Sequence, residues 1–181
     1  MGTRSLGGNV HARLFAKHIV QAAPHGGPGG EAALALGAAA SLVFSRVRAT
    51  GTVVRACPAG AGPDELRVVY IDDGTGVVPI ALAAHAASGE TDDASRERDA
   101  AVREEMEQRL ALAAAEGTTV EVLGRICYAR EGSAMPPVWI ACSHIAIKDD
   151  PMSETVAVLD TLEKFSFYGS TGDPDTQQEL D

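Results

Sequence analysis

The stretch "VYIDDGTGVVPI", Val69 to Ile80, decides how the rest of the chain is read. Two apolar runs flank Asp72, Asp73, Gly74, Thr75 and Gly76. Paired carboxylates suggest a cation site, and Gly-Thr-Gly suggests a phosphate cradle. On an extended strand, however, neighbouring side chains point to opposite faces, so Asp72 and Asp73 do not converge. A phosphate loop of the G-x-x-x-x-G-K-[ST] type needs a lysine and a following helix, and neither is present. Asp-Gly between two β-rich runs is a hairpin signal. The stretch reads as two strands folded together by a tight turn.

Working outward, "LRVVYI" and "GVVPIALAA" are the second and third of five expected strands. The first is "LVFSRVRATGTVVRA", Leu42 to Ala56, which alternates and has Gly51 inside it. The fourth is "TTVEVLGRICYA", with Gly124 inside it, and the fifth is "VWIACSHIAI". Interior glycines mark bulges or barrel corners, and Pro79 requires an edge or a bulge. Helices are expected over His11 to Ala23, over 91–116, and from Pro151 to Ser166. The middle one has Asp99/Arg103 and Glu105/Arg109 at i,i+4 and ends at Gly117, a left-handed cap. Asp150 is a suitable N-cap for the last, with Pro151 at its first position.

This order gives a mainly β fold: a five-stranded OB-fold barrel with flanking N-terminal and C-terminal helices and a helix between the third and fourth strands. The alternative is a generic α+β sandwich. The organisation expected is an N-terminal helix and mobile Gly/Ala/Pro linker over 1–40, the OB-fold domain with its C-terminal helix over 41–168, and a disordered acidic tail over 169–181.

Charge is unevenly spread over the 181 residues. Residues 1–71 carry seven Lys/Arg and three Asp/Glu, a net +4, and the remainder of the chain is −14. An acidic half opposes unaided nucleic-acid binding. No apolar run approaches the ~18 residues of a membrane span. Cys57, Cys127 and Cys142 lack zinc-ligand spacing and read as reduced core thiols of an intracellular protein. His144 reads as structural; Cys142 and His144 share a face by alternation, but both lie in a core-like run. No nucleophile motif stands out, so neither a catalytic site, a metal nor a cofactor is expected. The N-terminus has arginines and no acid before Glu31, a composition also found in organelle transit peptides.

Two surfaces remain. Strand residues Arg46, Arg48 and Trp139 are candidates for a weak DNA contact, although eight aromatics in the whole chain make a poor stacking platform. The last helix is more informative. Met152, Val156 and Leu159 form one apolar row and Val158, Leu162 and Phe165 an adjacent one. Together they make a face wider than one contact requires, so a partner is expected to cover part of it.

The chain resembles the RecQ-mediated genome instability protein 2 family over roughly residues 11–166, most of all its plant-like members. "ARLFAKHIVQA", "LALGAAASLVFSRVRATGTVV", "VYIDDGTGVVPIAL", "TTVEVLGRI" and "IACSHIAIKDDPMSE" carry the likeness by order and spacing. It departs in its longer charged helix and in Ala157, where the family tends to have a large aromatic. The resemblance implies a non-catalytic, nuclear OB-fold subunit. Such a subunit pairs with a RecQ-mediated genome instability protein 1-like scaffold and stabilises a RecQ helicase–topoisomerase III complex. That complex dissolves double Holliday junctions in DNA repair and recombination. The middle subunit of replication protein A shares the layout and gives the alternative, a single-stranded DNA-binding module.

Overall fold

The computed structural model describes residues 2–6, 10–25, 31–36, 40–57, 68–82, 104–105, 108–109, 112–113, 115–129, 135–150 and 152–169. In order, the elements are β1 (Gly2–Ser5), β2 (His11–Arg13), α1 (Ala16–Gln21), β3 (Ala23–His25), β4 (Glu31–Ala35), β5 (Ala40–Phe44), β6 (Arg46–Cys57), β7 (Val68–Asp72), β8 (Val77–Leu82), β9 (Thr119–Tyr128), β10 (Val138–Ile147) and α2 (Ser153–Gly169). Strands β6, β7, β8, β10 and β9 are hydrogen-bonded in that order, and β9 returns to β6 to close a barrel. Every pairing around the ring is antiparallel except β8 with β10. This is the OB-fold arrangement expected from the five-strand pattern.

Alternation fills the barrel. Val47, Ala49 and Val53 of β6 point inward and are buried, as are Val120, Val122 and Ile126 of β9. The interior glycines mark close backbone approach. A Cβ on Gly51 would stand 2.7 Å from the carbonyl oxygen of Asp72. One on Gly124 would overlap the Ala141 carbonyl and the Ile140 side chain. The register shifts between Val53 and Arg55, and again between Cys142 and His144. The β10 ladder on β8 begins at Ile80, one residue after Pro79, so Pro79 lies just outside it.

The N-terminal 40 residues differ from expectation. The helix expected over 11–23 is confined to Ala16–Gln21, and His11–Arg13 is a strand running parallel to the start of β6. An exposed barrel edge offers Ala12 a ladder and a buried site at once. The Ala-rich stretch expected to be a mobile linker contains β4, and β1, β5, β4 and β3 form a second sheet in that order. Alternation within "EAALA" places Ala32 and Leu34 in the core, a signal that the alanines hid. The long first strand expected is in fact β5 and β6, interrupted at Ser45, whose carbonyl accepts the Ile126 N–H at 3.2 Å.

Most of the helix expected over 91–116 lies outside the described residues. Positions 104–105, 108–109 and 112–113 are helical, with Arg109 and Glu105 paired at 2.7 Å and Ala113 buried. Gly117 takes φ +87°, as a left-handed cap requires. Residues 170–181 lie outside the described set. Among the described residues, no helix is long and apolar enough to cross a membrane.

Gly51→Ala and Gly124→Ala each insert a methyl group where backbone already stands. Each is expected to destabilise the fold by about 1–3 kcal/mol. The loss should appear as a lower urea midpoint with an unchanged slope.

Candidate functional site

The turn between β7 and β8 uses both of its carboxylates. Asp72 Oδ1 accepts the Gly74 N–H at 2.8 Å, and Asp73 Oδ1 accepts the Thr75 N–H at 2.9 Å and its hydroxyl at 2.7 Å. Gly74 takes φ +82°. Asp73 Oδ2 reaches outside the turn and accepts the Ala16 N–H at 2.7 Å. It therefore caps α1, whose own N-cap Phe15 supplies no side-chain acceptor. The Asp-Asp-Gly-Thr-Gly stretch thus holds a helix.

Helix α2 begins at Ser153, two residues after the expected start at Pro151, which lies outside the described residues; Asp150 Oδ1 accepts the Met152 N–H at 2.9 Å. One side of it lies on the barrel. Asp160 pairs with Arg13 of β2, and the Tyr168 hydroxyl accepts the Arg13 N–H at 3.2 Å. Phe165 stacks on His18 of α1, with ring centroids 4.1 Å apart and planes 5° apart. Burial, then the charge of Lys17, lowers the His18 pKa against the opposing pull of Asp73, which favours a neutral stacked imidazole. Val158 lines a small gap with Leu14, Phe15 and Thr161.

Val158 and Phe165 therefore take part in the chain's own packing. Sequence alone could not separate the two rows, because both are apolar. The opposite side of α2 is bare: Met152, Val156, Leu159 and Leu162 are 58%, 55%, 61% and 52% exposed.

Between α2 and the barrel, a cleft of about 190 Å³ is lined by Arg13, Arg48, Glu121, Lys148, Asp150 and Asp160, among others. Glu121 is its centre. Arg48 Nε and Nη2 donate to Glu121 Oε2 at 2.8 and 2.5 Å, and Lys148 lies 3.5 Å from Oε1. Burial alone would raise the Glu121 pKa, but the Arg48 hydrogen bond and charge, with Lys148, hold it below the ordinary value.

The three candidate DNA contacts separate as well. Arg48 is committed to Glu121. Arg46 lies directly across the ladder from Arg125, and His11 stands beside Arg46 on β2. Trp139 is opposite Cys127, one row along the same outer face, and is half-buried. Arg46 and Trp139 thus share a face with Arg125, which the sequence reading missed. Strand alternation through Glu121, Leu123 and Arg125 carried the signal.

The Cys142 thiol meets the His144 backbone but not its imidazole. The irregularity at Ser143 leaves Cys142 buried and turns His144 outward into solvent. Burial pushes the Cys142 thiol up to about 11.

Because its folded pKa is depressed, Glu121 contributes stability above the ordinary carboxylate pKa of about 4.3, and that contribution is lost as pH falls through the folded value. Glu121→Gln should be less stable than the parent at neutral pH. The gap should narrow below about pH 4, as measured by urea midpoints across the pH range.

Compared by sequence, the chain matches no protein-family model and no curated protein. Compared by structure, it is similar to a chain of the S. pombe Stn1-ten1 complex, with TM-score 0.60 and 14% identity, over 88% of this chain and 93% of that one. It is also similar to a chain of a replication protein A heterotrimer bound to ssDNA, with TM-score 0.56 and 16% identity, over 88% of this chain and 98% of that one. Both likenesses are of fold, and they agree with the barrel topology and the C-terminal helix described above.

Proposed function

We propose that this chain is a non-catalytic OB-fold subunit of a DNA-maintenance complex, docking on a second OB-fold protein through the outer face of α2. The exposed row Met152, Val156, Leu159 and Leu162 carries this reading. Met152, Leu159 and Leu162 point away from the side that grips the barrel, and Val156 stands at the edge of the cleft, so a partner can cover the row without disturbing the fold. Burying these half-exposed side chains supplies on the order of 1 kcal/mol each toward association. Two further observations support it. The matched structures are chains of a Stn1-ten1 complex and a replication protein A heterotrimer. Asp72 and Asp73, the sequence's best catalytic candidates, are bound up in turn and cap hydrogen bonds.

In its finer form, the proposal names a RecQ-mediated genome instability protein 1-like scaffold as the partner. Through it the subunit would serve topoisomerase III and a RecQ helicase in double Holliday junction dissolution in the nucleus. The order and spacing of the five quoted segments support that choice. A second reading, a single-stranded DNA-binding module like the replication protein A middle subunit, is favoured by Trp139 sharing a face with Arg46 and Arg125.

The double substitution Leu159→Asp and Leu162→Asp should leave the melting temperature nearly unchanged, since both side chains already face water. It should abolish co-purification with the scaffold subunit. Undiminished co-purification would overturn the interface.

A further inference from the structure

Most basic side chains near α2 have a carboxylate partner. Arg13 has Asp160, and Arg48 and Lys148 share Glu121. Arg46 and Arg125 differ. They face each other directly across the β6–β9 ladder, and among the described residues no carboxylate is paired with either. Like charges placed opposite one another on a sheet destabilise it unless an anion lies between or over them. His11 extends the row on β2, and its pKa is lowered by burial first and then by the charges of Arg46 and Arg48. The two arginines make a concentrated positive spot, with His11 a neutral hydrogen-bonding neighbour, on a chain of net charge −10.

The chain carries a complementary segment. After α2, residues 170–181 hold Asp173, Asp175, Glu179 and Asp181 and no Lys, Arg or His. The end of α2 is fastened next to this row, because the Tyr168 hydroxyl bonds the Arg13 backbone on β2. From that hydroxyl, at the tip of its side chain, to Arg125 is about 12 Å, taking a rise of ~3.3 Å per residue along a strand and ~4.8 Å between strands. Fully extended, the twelve residues 170–181 reach about 40 Å, enough to cover the tyrosine side chain and the strands together. A tethered ligand competes at roughly millimolar effective concentration.

We propose that the His11–Arg46–Arg125 row is a docking face for carboxylate-rich segments and that its occupant is the acidic segment 173–181 of the same chain. Occupied in this way, the face is withheld from nucleic acid and other polyanions. The inference is independent of the outer row of α2, and Leu159→Asp leaves it unchanged.

The test uses the full-length chain on a heparin column, read as the salt concentration of elution. Converting the four acids to amides (Asp173→Asn, Asp175→Asn, Glu179→Gln, Asp181→Asn) should raise that concentration. The rise should vanish when Arg46→Ala and Arg125→Ala are also present. An equal rise in both backgrounds would mean that the acids act only through overall charge, and would overturn the proposal. If the amide changes have no effect while Arg46→Ala with Arg125→Ala weakens retention, the face is open to external polyanions, and the proposal fails. Independently, carbodiimide cross-linking of the Arg125→Lys variant should join position 125 to one of the four acids, identified by peptide mass. Links to acids elsewhere alone, Glu131 included, would overturn it.

Discussion

Closure of the barrel depends on how closely β6 and β9 can approach the backbones they cross. Strand β6 pairs with β9 over Arg46–Thr52 and with β7 over Thr52–Cys57, so it must change partners midway. Gly51 sits at that change, where its missing side chain lets the Asp72 carbonyl lie against the strand. Gly124 does the same where β9 crosses β10. With any larger residue at either position, the strands would splay and Val47, Val120, Val122 and Ile126 would lose their enclosure. The sheets, the helices and both surface features are arranged around this closed ring.

The parts of the fold that the sequence shows are those with a local cause. Alternation in residues 119–128 and 138–147, the Asp73-Gly74 turn, Gly117 and the Asp150 cap are all expressed within a few residues of where they act. The parts it hides depend on distant partners. Ala12 and Arg13 are extended because β6 offers them an edge, which nothing in "HARLFAK" announces. Alanines at 32 and 33 have no strong preference and become strand only by pairing with β5 and β3. The candidate site follows the same rule. The apolar nature of the α2 face is local, but which of its rows faces inward was decided by His18, Arg13 and Leu14, far away in sequence. The cross-strand meeting of Arg46 with Arg125 was likewise fixed by register.

The two sides of α2 are built from different chemistry, and this division has functional value. The barrel side combines an ion pair, a tyrosine hydroxyl and one ring stack, all directional contacts that set the helix's position. The outer side is aliphatic and non-directional, suited to burial against a surface whose details can vary. Geometry is thus fixed internally before any partner arrives, which lowers the ordering cost of association.

Helix α1 has only six residues, too few to be stable by its own hydrogen bonds. It is ordered because three neighbours hold it: Asp73 at its start, Phe165 against His18, and the Tyr128 hydroxyl bonded to the Ala22 carbonyl at 3.0 Å. Its inner face is also part of the core, with Ala16 and Ile19 fully buried. Melting it would expose Ile19, which the core encloses completely, at a cost of about 2 kcal/mol before any clamp is counted. Because Asp73, Tyr128 and Phe165 come from the hairpin, the barrel and α2 in turn, this one short helix ties three separate parts of the chain to one another.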